Sequence, residues 1–236
     1  LIPRNPASGA QTPKVETKEP RIYNVEQCLA LFDAAKSTGR YSLYCAAVLA
    51  GMRRNELLGL PWTGGVDFQN DLITVKRQLA KKRLGNNTYK PPKSEKGLRR
   101  LPMVKMLREA MLEQWEIEQT YRARPDYTNN DLVWHTPSGE PINPHNLDRQ
   151  FKRIIKRAGL PDIRFHNLRH SCATMLYAQG VSLKTIQAIL GHAQITTTNR
   201  YAHENDVITR SALDLVGSAF EDAKNSTEND AVNACE

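Results

Sequence analysis

Apolar positions along the chain change period twice. From residue 24 they recur at helical spacing: Asn24 and Gln27 stand three apart, the signature of a capping box, and Leu29, Ala30 and Phe32 follow. Residues 41–50, YSLYCAAVLA, are almost continuously apolar and predict a further helix. Gly51 interrupts it, and an amphipathic turn runs to about Leu60, ahead of Pro61. The period then falls to two. VDFQNDLITVKRQ (66–78) alternates on either side of Asn70-Asp71, a hairpin signal. NNTYKPPKSEKGLRRLPM (86–103) predicts a second hairpin, turning near Glu95-Lys96-Gly97. Helical spacing returns at 104–121, 144–158, 166–179, 182–190, 195–202 and 205–220. The expected fold is mainly α with a small antiparallel β-sheet inserted early, an α+β class.

The two ends lack this patterning. Residues 1–20 hold four prolines and few apolar positions, and read as a linker from a preceding domain. The chain opens on Leu1 rather than Met, in keeping with a fragment or a processed protein. Residues 221–236 are polar and acidic, and are expected to be disordered. One folded domain is expected over 21–220. No run of 18 apolar residues and no signal-peptide pattern occurs, so neither a membrane span nor export is expected. Cysteines at 28, 45, 172 and 235 form no CxxC pair, and the first three fall inside apolar helical patterns. That usage suits a reducing cytoplasm.

Charge narrows the class further. The formal net charge is +8, yet residues 221–236 carry five acids against one lysine, so residues 1–220 carry +12. A basic excess of that size is either a solvated surface or the footprint of a polyanion partner, most often nucleic acid.

Four short stretches carry candidate chemistry. In GMRRNEL (51–57), Arg53 and Glu56 are three apart and share a face; taken alone this is most simply a surface ion pair. In FHNLRHS (165–171), His166, Arg169 and His170 lie on one helix face. Two His at i, i+4 could ligate zinc, but the Glu of HExxH and a third ligand are missing. A planar guanidinium beside a titratable imidazole suits a phosphate better. LGHAQITTTNRYAH (190–203) places His192 after a glycine and Tyr201 nine residues on. KPPKSEKGLRRLP (90–102) places Lys93 on the first arm of the second expected hairpin.

Together, in this order and spacing, these stretches resemble the tyrosine recombinase, or phage integrase, family over roughly residues 21–210. The family's catalytic domain carries an Arg in a G-L-R-x-x-E-L box, a Lys on a β-hairpin, H-x-L-R-H, L-G-H, and a Tyr nine residues later. Arg53 is chosen over Arg54 because it stands two after Gly51 and three before Glu56. Lys93 is chosen over Lys90 and Lys96 from its distance to Arg99 and Pro102.

The resemblance implies that residues 21–220 are a catalytic domain and that Tyr201 attacks a scissile phosphate of double-stranded DNA. The products are a 3′-phosphotyrosine and a free 5′-hydroxyl, so rejoining needs no ATP. Arg53 and Arg169 would clamp the non-bridging oxygens, where transition-state charge collects, and His192 would add a hydrogen bond. His166 would accept the tyrosine proton, and Lys93 would protonate the departing 5′-oxygen. Glu56 would position Arg53 or a histidine. No metal and no cofactor are implied, since the cations supply the charge that Mg²⁺ supplies elsewhere. The expected partners are duplex DNA and further protomers in a tetrameric synapse, in a bacterial or phage-infected cytoplasm. Lys81, Lys82, Arg83, Lys152, Arg153, Lys156 and Arg157 are candidate backbone contacts. The helix at 205–220 would dock on a neighbouring protomer or fold back on its own core. Rival readings are a type IB topoisomerase, which relaxes supercoils from a similar site, a DNA-binding protein with a decayed site, and a zinc hydrolase using His166 and His170.

Overall fold

A computed structural model of the chain describes residues 21–83, 86–92 and 97–191. The expected linker, the 195–202 and 205–220 helices and the acidic tail lie outside the described residues.

Helix α1 (Val25–Lys36) starts at the predicted box: the Asn24 side chain accepts from Gln27 N–H at 2.9 Å, and Gln27 Oε1 accepts from Asn24 N–H at 3.1 Å. Its buried face is Cys28, Leu31, Phe32 and Ala35, while Leu29 is 48% exposed. The 3.6 period from Cys28 and Leu31, rather than from Leu29 and Ala30, selects the inward stripe. Helix α2 (Tyr41–Leu49) is buried from Ser42 to Val48 and forms the central rod, packed between α1, α4 (Lys105–Arg122) and α6 (Asn167–Ala178). A helix apolar all round has no solvent side, so its position at the middle follows from its sequence. The Ser42 hydroxyl, buried in this helix, is satisfied twice, donating to Gln114 Oε1 (2.7 Å) and accepting from Trp134 Nε1–H (2.9 Å). Cys28, Cys45 and Cys172 are buried free thiols, as the apolar patterning predicts.

The turn after Gly51 is shorter than its pattern suggests. Helix α3 covers only Arg54–Leu57, and Arg53 is its N-cap rather than a helical residue. Strands β1 (Val66–Asp67) and β2 (Leu72–Val75) pair antiparallel, with Asp71 at φ 52° in the turn, as the Asn-Asp signal predicts.

The second hairpin differs from expectation. Strand β3 (Gln78–Arg83) pairs with β4 (Asn86–Lys90), while β5 (Arg99–Pro102) returns to β2 and gives a three-stranded order β1-β2-β5. The partner of β4 is therefore β3 and not the segment after Gly97. The basic run QLAKKR masked the first arm. β5 is drawn to β2 because both have one apolar face to bury: Ile73 opposes Leu101, and Ile73, Val75 and Leu101 are all buried. Lys93, expected on the first arm of this hairpin, lies outside the described residues.

Beyond the sheet come α4, α5 (Pro144–Arg157), α6 and α7 (Leu183–Leu190), each within two residues of its predicted bounds. Pro144 at N1 and the Asn143 cap set the start of α5. Leu147, Phe151, Ile154 and Ile155 face inward, and Lys152, Arg153, Lys156 and Arg157 face out. Helix α7 packs on α6 through Cys172, Ala173, Ile186 and Leu190.

Candidate active site

Helix α7 ends at Gly191, which takes φ +66°, the left-handed conformation that closes a helix without a Cβ penalty. A helix leaves its last carbonyls without internal partners, and they carry the negative end of its dipole. Here three guanidiniums take three successive carbonyls. Arg99 Nε–H donates to Ile189 O at 2.7 Å, Arg169 Nη2–H to Leu190 O, and Arg53 Nη2–H to Gly191 O at 2.8 Å. The residue that follows this knot is His192.

Arg169 also donates from Nη1 to Gly51 O at 2.6 Å, which pins the start of the GMRRNEL box to the end of α7. Gly51 makes this approach possible. It sits at φ +57°, and a Cβ there would lie 2.5 Å from Leu190 Cδ2. Arg169 is 2% exposed, deep for a guanidinium, and its burial is offset by these charge-assisted bonds to carbonyls.

Arg53 and Glu56 form more than a surface pair. Glu56 is 2% exposed. It accepts Arg53 N–H (2.8 Å), Arg53 Nη1–H (2.7 Å), Arg99 Nη1–H (3.1 Å) and Arg99 Nη2–H (2.9 Å). Burial alone would raise its pKa. The hydrogen bonds and charge of Arg99, joined by those of Arg53, outweigh that and hold the carboxyl below its ordinary value. Arg53 keeps a third of its side chain exposed. Its neighbour Arg54 turns the other way, to Asp148 on α5.

These groups form one wall of a cleft of about 780 Å³, lined by Arg53, Arg54, Glu56, Lys152, Arg164 and His166 among others. Pro92 and Gly97, the residues either side of 93–96, line it as well, and so does Gly191. Lys93, His192 and Tyr201 lie outside the described residues, but the described neighbours of Lys93 and His192 border this cleft. His166 is the N-cap of α6, and its ring stands edge-on to that of His170, centroids 5.0 Å apart. Its pKa is lowered from 6.5 to about 4, first by burial against the cleft wall and then by His170, Arg169, Arg53 and Arg54. The residue as a whole is exposed, so the positive neighbours act through a partly screened medium. The direction still leaves His166 neutral near pH 7, the form that takes up a proton.

Among the described residues no group of three His, Cys, Asp or Glu is placed to hold a metal ion, and no helix is long and apolar enough to cross a membrane. The structure thus brings Arg53, His166 and Arg169 together at the end of α7. It adds two residues that the sequence reading passed over: Asp148, the partner of Arg54, and Arg99, which served there only as a spacing mark. Period-two alternation was the available signal for Arg99. Arg99, Leu101 and Met103 share parity and are all buried, whereas Arg100 is exposed.

Comparison with known proteins places this geometry. The chain is 33% identical over 242 residues to a tyrosine recombinase XerC-like protein of Caldanaerobacter subterraneus subsp. tengcongensis, covering 93% of this chain and 61% of that protein. The chain therefore spans about three fifths of that relative's length. Its fold matches the Tn1549 transposon integrase solved in complex with a circular intermediate DNA (TM-score 0.72, 22% identity, 86% of this chain and 68% of that one). It also matches the XerH site-specific recombinase bound to a palindromic difH substrate in a post-cleavage complex (TM-score 0.60, 26% identity, 86% and 54%). The family model described as the phage integrase family matches residues 22–207, most of the chain. From the ordered boxes, the arginine knot and this match, the chain belongs to the phage integrase family, the tyrosine recombinases.

Proposed function

We propose that this chain is the catalytic portion of a site-specific DNA recombinase that cuts and rejoins duplex DNA through a tyrosine-linked intermediate. Tyr201 Oη attacks the scissile phosphorus, a bond forms between them, and the bond from phosphorus to the 5′-oxygen breaks. The tyrosine proton passes to His166 and the leaving oxygen takes a proton from Lys93. A second 5′-hydroxyl reverses the sequence and releases the tyrosine. Arg53 and Arg169, with His192, stabilise the charge on the non-bridging oxygens, where preorganised donors have their largest effect. Acting on two duplexes calls for several protomers, and the reading includes a tetrameric synapse on DNA in the cytoplasm of a bacterium. The acidic end and the proline-rich start are read as a tail and a linker flanking the catalytic domain.

The observation that carries the proposal is the knot at the end of α7. It gathers Arg53 from the cap of α3 and Arg169 from α6 next to a cleft that His166 also lines. Such a site offers fixed cations and a proton acceptor to one phosphate. Relaxation of supercoils by a topoisomerase would use similar groups, but no feature of the cleft favours it.

Covalent trapping tests the proposal. The chain is mixed, in EDTA, with nicked suicide duplexes from a random-sequence pool, beside Tyr201→Phe. A protein–DNA adduct on a denaturing gel is expected from the wild type and is lost in the variant. An adduct that persists in Tyr201→Phe would remove Tyr201 from the role of nucleophile.

A further inference from the structure

Arg99 is a cation with no part in the chemistry just described. It stands on β5 opposite Val75, with its side chain 6% exposed. All three guanidinium nitrogens are engaged: Nε with Ile189 O, Nη1 with Glu56 Oε1 and Gly97 O (3.2 Å), and Nη2 with Glu56 Oε2. The fork therefore ties together α3, the end of α7 and the main chain just past Lys93. With four of its five N–H groups engaged and its side chain buried, Arg99 is not among the residues that line the cleft.

We propose that Arg99 is a positioning residue for strand cleavage, acting through Glu56 on Arg53; the proposal rests on the recombinase reading. Each oxygen of Glu56 is shared. Oε1 receives Arg53 Nη1 and Arg99 Nη1, and Oε2 receives the Arg53 backbone N–H and Arg99 Nη2. A carboxylate held only by Arg53 would move with it. Held from behind by a buried fork, it becomes a fixed anchor, and the exposed part of Arg53 is left with one orientation toward the cleft. The same fork donates to Ile189 O, two residues before the Gly191 carbonyl that receives Arg53, so both anchors of Arg53 share one reference point. A lysine cannot do this, because a single ammonium does not span acceptors on three segments.

The test compares Arg99→Met and Arg99→Lys, each alone and in an Arg53→Met background, in the 236-residue chain. The substrate is a nicked suicide duplex that the wild type selects from a random pool. Three quantities are read: the single-turnover rate of Tyr201 adduct formation at saturating protein, the non-covalent affinity for the same duplex, and the thermal unfolding transition. Arg99→Met is expected to slow adduct formation by about 10²-fold, the order expected when a catalytic group is displaced by roughly 1 Å. Arg99→Lys recovers little of this, non-covalent affinity stays at the wild-type level, and Arg99→Met adds no further loss to Arg53→Met. Multiplying losses in the double variant, a parallel fall in affinity, or cleavage at the wild-type rate would each overturn the proposal. Should Arg99→Met lose its cooperative transition, Arg99→Lys, which keeps a charge beside Glu56, carries the same comparison. A wild type that forms no Tyr201 adduct on any duplex sinks the recombinase reading itself, and this proposal with it.

Discussion

At the scale of single residues, the site depends on where charge is tolerated. Three arginines and one glutamate lie in or beside a cleft wall, and each is stabilised by a named acceptor or donor rather than by water. His166, beside them, is the titratable group whose ordinary pKa lies nearest neutrality. Its folded pKa, about 4, lies below the ordinary 6.5. Between those values the unfolded chain binds the extra proton and the folded chain does not, so this contribution to stability is present above pH 6.5 and is lost as pH falls toward 4. An NMR titration of the His166 ring is expected to give a midpoint well below 6.5, moving upward when a phosphate anion occupies the cleft. A midpoint at or above 6.5 in the free protein would show that neither burial nor the surrounding cations govern it.

At the scale of elements, the short α7 is the organising piece. Its eight residues are too few to be stable alone, and it is held by packing on α6 and by guanidiniums on its last carbonyls. The corner at Gly51 makes room for it. Gly51→Ala combines a left-handed backbone with a Cβ 2.5 Å from Leu190 Cδ2 and 3.2 Å from Cys172 Sγ. The expected cost is about 1–3 kcal/mol for the backbone strain alone, with the contact to Leu190 added to it. Urea denaturation would reveal it as a lower midpoint at unchanged slope, and an unchanged midpoint would show that the corner adjusts freely. The element reading also explains why the β region was partly misjudged. Turn signals at Asn70-Asp71 were local and were read correctly. The pairing of β5 with β2 is a contact across about 25 residues, and the alternation in each strand does not name its partner.

At the scale of the molecule, a basic body faces a cleft whose acids are all paired with arginine: Glu56 with Arg53 and Arg99, and Asp148 with Arg54. The basic face of α5 is not uniform. Lys152 lines the cleft and pairs with Asp162, whereas Arg157 reaches back to Ala34 O (2.7 Å) and Ser37 Oγ (2.8 Å) and ties α5 to α1. Binding of this chain to duplex DNA is expected to be weak and to fall linearly with the logarithm of salt concentration. Lys152→Ala should reduce that slope by about one counterion, while Arg157→Ala should act mainly on stability. The slope is read from fluorescence anisotropy titrations at several salt concentrations; equal slopes for wild type and Lys152→Ala would take Lys152 off the DNA path.

The sequence by itself determined the bounds of α2 and of α4 to α7, the capping box of α1, the buried character of α2, the first hairpin and the order of the boxes that mark the family. All of these follow from local period, cap chemistry or residue spacing, which need no knowledge of distant partners. Tertiary structure alone decided that β5 joins β2, that Arg53 is a cap whose guanidinium meets Gly191, and which acceptors Arg99 meets once strand parity turns it inward. The strand pairing rests on an apolar face that meets its match further along the chain, and the two arginine placements rest on carbonyls and a carboxylate, Gly191 O being 138 residues from Arg53 and Ile189 O 90 from Arg99. Hydrogen-bond acceptors of the main chain leave no trace in residue identity, so a guanidinium that will be spent on them looks in the sequence like any other arginine.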